Sequence, residues 1–297
     1  MVRLLFSCLL FSIFLVGCTE DIPIILPEQE EQLGAYVYIN QTTDTASIII
    51  ERTLRFEESL NENNARLEGS ASVSLFQDNE KVANFEQRSS SIFYDHPDPL
   101  GIQAGETYNI QIEHPDFEIM TASESAIKNP VSPIIVDKDS ISPPMGSTDN
   151  FDIILKIEDQ ANISNYYQIG AAIETLNQGG EQEIEQIAIF GNYIITINSV
   201  VTDLQFITVG DDIFLSDETF DGKEVIIFFQ AGSFSFDPDY IIFRNISESF
   251  YNFMRFLNND LDIDYGAFLE TIPVYSNFDM GFGVFAFFTE EKIIITE

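Results

Sequence analysis

The chain of 297 residues is short of positive charge and of tryptophan, and each shortage argues against a class of function. It carries 13 Lys plus Arg against 49 Asp plus Glu, which gives a formal net charge of −36. Because proteins bind phosphate backbones mainly through Lys and Arg, this balance argues against a nucleic-acid partner. The same charge repels the body of the chain from anionic lipid head groups. The absence of tryptophan makes the chain a weak candidate for stacking on a polysaccharide.

Cysteine and histidine are also scarce. The two cysteines, Cys8 and Cys18, lie close to the N-terminus, so the rest of the chain can form no disulfide, thiolate metal site or cysteine nucleophile. The two histidines, His96 and His114, each precede a proline and are predicted at turns. Two histidines 18 residues apart without a thiol argue against a zinc site. The chain lacks a G-x-S-x-G elbow, so nothing indicates a Ser–His–Asp triad.

The chain has no apolar segment long enough to span a bilayer. An apolar run near the start is interpreted as part of a secretory signal peptide over residues 1–17. Arg3 is the one charge before position 20, and the apolar run Leu4 to Val16 follows it over 13 residues. A helix that spans a bilayer needs about 20 apolar residues, so this run is too short. The run ends in Leu15-Val16-Gly17-Cys18, which resembles the bacterial lipobox. That resemblance implies cleavage before Cys18 and attachment of acyl chains to its sulfur, and those chains would hold the protein on a membrane. A plain signal peptide with a chance cysteine is the alternative.

Composition divides the remaining chain into four segments. Residues 18–33 contain two prolines and five acids and predict an acidic tether. Short β-forming segments over residues 34–126 predict a β-sandwich, either Ig-like or transthyretin-like. Residues 127–149 hold four of the eleven prolines and predict a linker. Residues 150–297 predict a second β-rich domain with one amphipathic helix near its C-terminal end, so the expected fold class is mostly β.

Strands are predicted where β-branched and aromatic residues concentrate or where apolar and polar residues alternate. The predicted strands lie at 35–39, 47–50, 70–76, 81–85, 108–112, 117–121, 151–157, 165–173, 184–190, 193–197, 204–209, 225–229, 240–243, 284–288 and 293–296. A hairpin turn is predicted at Gln77–Glu80, between the third and fourth of these strands.

One helix is predicted at 246–261. Asn245 and Glu248 have the spacing of a capping box at its start. Five apolar residues recur with helical spacing and are predicted to pack against the sheet, and no cofactor pocket is inferred from them. They are Phe250, Phe253, Met254, Leu257 and Leu261.

Two further segments invite a functional interpretation. The run Phe282–Phe288 holds four phenylalanines and is predicted to be a buried strand, with a partner surface as the alternative. Asp260, Asp262 and Asp264 have the spacing of the first three ligands of a calcium loop. The glycine that follows falls at position 7 instead of 6, so a solvated helix end is the preferred interpretation. No phosphate-binding loop is present, and no cofactor is expected.

Four landmarks together resemble the domain-of-unknown-function 4249 family of Bacteroidota lipoproteins. They are the opening Asp21–Pro27, the "AGxTY" strand at Ala104–Tyr108, the "NYY" strand at Asn165–Tyr167, and the closing Ser276-Asn277 with Gly281–Phe285. The family is often encoded beside TonB-dependent outer-membrane receptors, so the resemblance implies a role in uptake at the cell envelope. It supplies no catalytic residues.

The expectation from sequence is therefore a lipid-anchored envelope protein on the outer membrane, at either its periplasmic or its surface-exposed side. It would be a non-enzymatic binding or accessory module, with a TonB-dependent receptor as the expected partner. A surface adhesin or structural protein and a carboxylate-dependent hydrolase are the alternatives.

Overall fold

A computed structural model describes residues 31–53, 66–88, 91–136, 153–176, 182–187, 194–197, 200–201, 207–209, 212–229, 238–261 and 275–295. Strands dominate these ranges and one α-helix lies near their C-terminal end, so the predicted mostly-β class is confirmed. Within the same ranges no helix has the length and apolar character needed to cross a membrane.

The strands are numbered in chain order. They are β1 Leu33–Asn40, β2 Thr45–Arg52, β3 Ser72–Gln77, β4 Glu80–Gln87, β5 Phe93–Asp95, β6 Thr107–Glu113, β7 Met120–Ser125, β8 Ile134–Ile135, β9 Ile153–Glu158, β10 Tyr166–Leu176, β11 Gln182–Ile187, β12 Ile194–Ile197, β13 Val200–Val201, β14 Ile207–Val209, β15 Asp212–Ser216, β16 Glu224–Phe229, β17 Tyr240–Ile246 and β18 Phe282–Ile294. The helix, α1, spans Glu248–Leu261.

The described strands form two sheets. The larger sheet has the order β14-β15-β10-β17-β18-β1-β2-β5-β4-β3-β6-β7, and β11 pairs with β10 beside it. The smaller sheet has the order β13-β12-β16-β9-β8. The predicted division into two domains at 127–149 stays a prediction. The structure places strands from both predicted domains in the larger sheet, where β18 pairs with β1 on one side and β17 on the other.

Strand β18 is the centre of the larger sheet. Phe285 and Phe287 are fully buried on one face, among side chains of β1 to β7. Val284 and Ala286 are fully buried on the other face, beneath α1. The prediction that the phenylalanine-rich run is core is therefore confirmed. The prediction of a separate last strand at 293–296 is wrong, because the polar residues after Phe288 continue the ladder with β17 as far as Ile294.

The first part of the chain follows the predicted strands with two differences. The hairpin turn at Gln77–Glu80 is confirmed, with positive φ at Asp78 and Asn79. The strand predicted at 117–121 instead runs over Met120–Ser125, because the Phe117 amide closes a turn on the His114 carbonyl. The other difference is the short strand β5, which had no counterpart among the predictions.

Three more short strands were missed. They are β8, which lies inside the predicted linker, β13 and β15. Each has five residues or fewer, which is too short for an alternating pattern to stand out.

The predicted helix is confirmed as α1. Phe250 and Phe253 are buried, and Met254 and Leu257 are partly buried against the same cluster, so the predicted apolar face does pack on the sheet. The side chain of Leu261 lies outside the described residues. The packing places the N-terminus of α1 directly after β17, next to the end of β7.

Candidate functional site

A cleft of about 190 Å³ opens where α1 begins, and it is the candidate binding site. Three segments line it: residues 124–129, which leave β7, residues 163–166, which enter β10, and residues 245–248, which join β17 to α1. Its charged side chains are Glu124, Glu248 and Lys128. Polar and apolar atoms contribute about equally to its surface, so the cleft suits a small ligand that carries both polar and apolar groups.

Two amide side chains hold the segment that leaves β7. The Ile127 amide donates to the Gln41 side chain at 2.6 Å, and the Gln41 amide group donates back to the Ile127 carbonyl at 3.2 Å. Asn245 makes the same pair of bonds with the backbone of Val131, at 2.8 and 2.9 Å. The segment that leaves β7 is therefore held in place by Gln41 and Asn245, which pair with its backbone as a neighbouring strand would. This segment forms one wall of the cleft.

Glu124 caps the helix. Its half-buried carboxylate accepts hydrogen bonds from the hydroxyl and the backbone amide of Ser249, the second residue of α1, and from the Ser125 amide. The predicted capping role of Asn245 is wrong, because its side chain is committed to Val131. Burial raises the pKa of Glu124, and the nearby charge of Glu248 adds to the rise against the effect of the hydrogen bonds.

Aromatic rings border the cleft on the side of β10. The rings of Tyr166 and Tyr251 lie 5.0 Å apart between centroids. Burial, followed by the charges of Glu248 and Asp217, raises the pKa of Tyr166 to about 12. The hydroxyl therefore stays protonated at neutral pH and can donate a hydrogen bond.

Three aspartates gather close to this side of the cleft. Asp159 follows β9, and Asp217 and Asp221 follow β15, and one carboxylate oxygen of each lies within 4.8 Å of the others. Asp217 is buried and Asp221 is exposed. Among the described residues, these three aspartates form the group whose spacing could hold a metal ion.

Hydrogen bonds already occupy these carboxylates. Both oxygens of Asp159 accept bonds: one from the Tyr167 hydroxyl and the Asn165 side chain, the other from the Gly222 amide at 2.8 Å. The Asn165 amide donates to Asp217 at 2.7 Å. The amide of Asn162 likewise donates to Asp221, also at 2.7 Å. A cation would compete with these donors, so the observed contacts make the cluster a link between the loops that precede β10 and follow β15.

Three negative charges lie near one another in this cluster, and the burial of Asp217 among them has an electrostatic cost. Burial raises the pKa of Asp217 to about 6, and the charges of Asp159 and Asp221 contribute to the rise against hydrogen bonds from Asn165. Burial also raises the pKa of the Tyr167 phenol, together with its hydrogen bond to Asp159. The cluster therefore changes its charge in mildly acidic solution.

The candidate site residues predicted from sequence fall wholly or partly outside the described residues. Cys18, Asp262 and Asp264 fall outside the described residues, and Asp260 is described only as part of the last turn of α1. The lipid attachment and the calcium loop therefore stay predictions.

The two histidines have separate surroundings. The Nδ1 atom of His96 lies 2.9 Å from the Asn84 carbonyl oxygen. His114 is buried in the turn after β6, where its Nδ1 accepts the Asp116 amide at 3.3 Å.

Sequence analysis did not single out the acids of the cleft or of the aspartate cluster. Glu124, Asp159 and Asp217 come from distant parts of the chain, and only the fold brings their neighbourhoods together. A chain with 49 acids offers no local signal that distinguishes these few. The one hint was Asn165–Tyr167, where Asn165 and Tyr167 bond to the cluster and Tyr166 lines the cleft.

Two of the other landmark motifs lie within the described residues, and they form turns and strand junctions. In Ala104–Tyr108 the chain turns into β6, and the Tyr108 hydroxyl accepts the Gln103 amide at 2.8 Å. Asn277 exchanges two hydrogen bonds with the backbone of Phe285. These motifs therefore specify the fold, while Asn165–Tyr167 also adjoins the candidate site.

The fold and the site define a β-rich protein with a cleft at the start of its single described α-helix. The chain matches the family model "Domain of unknown function (DUF4249)" over residues 19–294 and belongs to that family. No curated protein and no solved structure matches the chain.

Proposed function

We propose that this chain is a lipid-anchored, non-enzymatic binding or accessory module of the bacterial cell envelope. Its anchor is a set of acyl chains on Cys18, and its place is the outer membrane of a Bacteroidota cell. The family match carries the proposal: it begins at residue 19, directly behind Cys18, so residues 1–18 fall outside the matched region. This is the boundary expected if a leader is removed and the cysteine becomes the N-terminus.

The charge of the body fits such an anchor. The formal net charge of −36 opposes close contact with anionic head groups, so acyl chains must supply the membrane affinity. Each buried CH₂ contributes about 0.8 kcal/mol, so two or more chains hold the protein on a bilayer against this repulsion. The acidic residues that follow Cys18 and precede β1 then act as a spacer between the membrane and the folded body; Leu33, the last residue of the predicted tether, belongs to β1.

The cleft is where this module contacts its ligand or partner. Gln41 and Asn245 hold one of its walls in place, the segment that leaves β7, without a ligand. Glu124 and Glu248 both line it, which is the feature that a carboxylate-dependent hydrolase would need. Glu124, however, caps α1, and this structural role favours binding over catalysis.

A TonB-dependent receptor is the proposed partner, and crosslinking in cells tests it. Native chain and a Cys18→Ser variant, both tagged at the C-terminus, are crosslinked in the source cells and purified under denaturing conditions. The native chain is expected to recover a TonB-dependent receptor, and the unanchored variant to recover much less. Recovery of no outer-membrane protein by the native chain contradicts the accessory role. Crosslinks only to extracellular matrix or surface structures would favour the adhesin.

A further inference from the structure

Among the described strands, β11 stands at an edge of the larger sheet. It pairs with β10 through residues 171–176, in the register Glu174 opposite Ile184. Strand β15 pairs with an earlier stretch of β10, and β17 pairs with the other side of β10. No described strand pairs with the outer side of β11. The backbone donors and acceptors on that side are a template for another strand.

Both faces of this edge are exposed. Residues 182–186 are all exposed, so β10 and β11 leave the core as a two-stranded ribbon. One face carries Ile184, 40 % exposed, with Leu176, 70 % exposed, on the neighbouring strand. The opposite face carries Glu183 and Glu185. An added strand would therefore meet an apolar position on one face and two carboxylates on the other.

The charge pattern selects the kind of occupant. Within the paired stretches of β10 and β11 there are three acids and no Lys or Arg: Glu174, Glu183 and Glu185. A second copy of β11 is disfavoured, because an antiparallel pair that aligns Ile184 with its copy places Glu183 opposite Glu185. Like charges directly opposite one another destabilise a strand pair, whereas Lys or Arg opposite these carboxylates stabilises it.

We propose that β11 is a docking edge for an extended, basic segment of a partner protein, which adds to the sheet as a further strand. The segment carries Lys or Arg at alternate positions, opposite Glu183 and Glu185, and apolar side chains between them, beside Ile184. Main-chain hydrogen bonds supply affinity and the alternating side chains supply the selection, as in other cases of strand addition. This edge is separate from the cleft at α1, so either can be correct without the other.

Binding of alternating heptapeptides to the purified chain tests the proposal. A Lys–Val heptapeptide is expected to bind, and a Glu–Val heptapeptide is the matched control. In the Glu183→Lys/Glu185→Lys variant the preference is expected to reverse, with a change of about tenfold or more in each affinity from two cross-strand charge pairs. The affinities of both peptides for the native chain and for the variant are measured by fluorescence anisotropy at about 150 mM salt. An unchanged preference in the variant overturns the proposal.

Backbone methylation separates strand addition from simple charge attraction, and it needs only the native chain. A strand uses the N–H groups of alternate residues to pair with one neighbour. Two Lys–Val peptides, N-methylated on the odd or on the even residues, are therefore expected to differ, one losing binding and the other keeping it. Equal binding by the two methylated peptides contradicts a docked strand. A failure of the unmethylated Lys–Val peptide to bind contradicts it as well.

Discussion

At the scale of single residues, three amide side chains substitute for backbone. Gln41, Asn245 and Asn277 each donate one hydrogen bond to, and accept one from, the main chain of a single other residue. Such a pair satisfies an N–H and a C=O that would otherwise lie in the interior without partners. The side chain thereby ends a strand pairing where no further strand is available.

Asn245→Asp is expected to destabilise the fold by about 2–4 kcal/mol. The aspartate can still accept the Val131 amide but has no donor for the Val131 carbonyl, and it places a charge in a buried position. Urea unfolding followed by tyrosine fluorescence measures the change. Asn84→Asp is the matched control: Asn84 is exposed and its side-chain oxygen only accepts, from Ser74 and Lys81, so a change below about 0.5 kcal/mol is expected. Equal losses in the two variants would contradict the role assigned to Asn245.

Asp217 is expected to make the fold more stable in mild acid. Its pKa is raised to about 6 by burial and then by Asp159 and Asp221, above the usual value of 3.8. Its favourable contribution is therefore fully present below about pH 4 and is lost as pH rises through about 6. Asp217→Asn keeps the oxygen that accepts the Asn165 amide and removes the titration.

Unfolding in urea from pH 4.5 to 7.5 measures this contribution. The variant is expected to gain up to about 2 kcal/mol relative to the native chain at the upper end of the range and little at the lower end. Asp98→Asn, at an exposed position, serves as the control and should leave the profile unchanged. A variant profile parallel to that of the native chain would rule out the assigned titration.

At the scale of elements, the junction of β1 and β18 depends on one glycine. Gly283 has φ of +125°, and a Cβ there would lie 1.9 Å from the Ala35 carbonyl oxygen of β1. Both the conformation and the close approach of two backbones exclude a side chain. The parallel pairing of β1 and β18 begins beside this residue, so its loss disturbs the centre of the larger sheet.

Gly283→Ala is therefore expected to cost about 3 kcal/mol or more, or to prevent folding. Gly101→Ala is the comparison: it also changes a glycine with positive φ, +71°, but nothing lies within 4 Å of its Cβ position. Its expected cost is about 1 kcal/mol, from backbone conformation alone. Thermal unfolding of both variants by circular dichroism distinguishes them, and similar losses would show that contact with Ala35 is unimportant.

Long periodic elements were predictable from sequence, and the site was not. The alternation of Tyr108, Ile110 and Ile112 is a local signal and gave β6, and the helical spacing of Phe250, Phe253 and Leu257 gave α1. The cap of α1 was missed because it comes from Glu124, more than a hundred residues earlier in the chain. Strand β5 was missed because three residues are too few to show an alternating pattern. It forms because β2 and β4 pair with it on its two sides.

At the scale of the whole molecule, the last described strand joins distant parts of the chain. Strand β18 lies parallel to β1 and antiparallel to β17. Phe285 and Phe287 belong to the core of β1 to β7, whereas Ile293 packs against the core beneath β10 and β17. Both cores are therefore completed by the end of the chain. Pairing of such distant segments is slow to form, so folding is expected to depend on the C-terminal strand.

The proposed anchor is also a property of the whole molecule, since it decides where the acidic body is held. Cys18 stands directly before the region that matches the family. The most direct measurement is intact mass spectrometry of the C-terminally tagged chain purified from membranes of the source cell. Lipidation predicts a polypeptide that begins at Cys18 and carries the added mass of its acyl chains, and a Cys18→Ser variant that leaves the membrane fraction. A chain with an unmodified Cys18, or with residues 1–17 still attached, would contradict the proposed anchor.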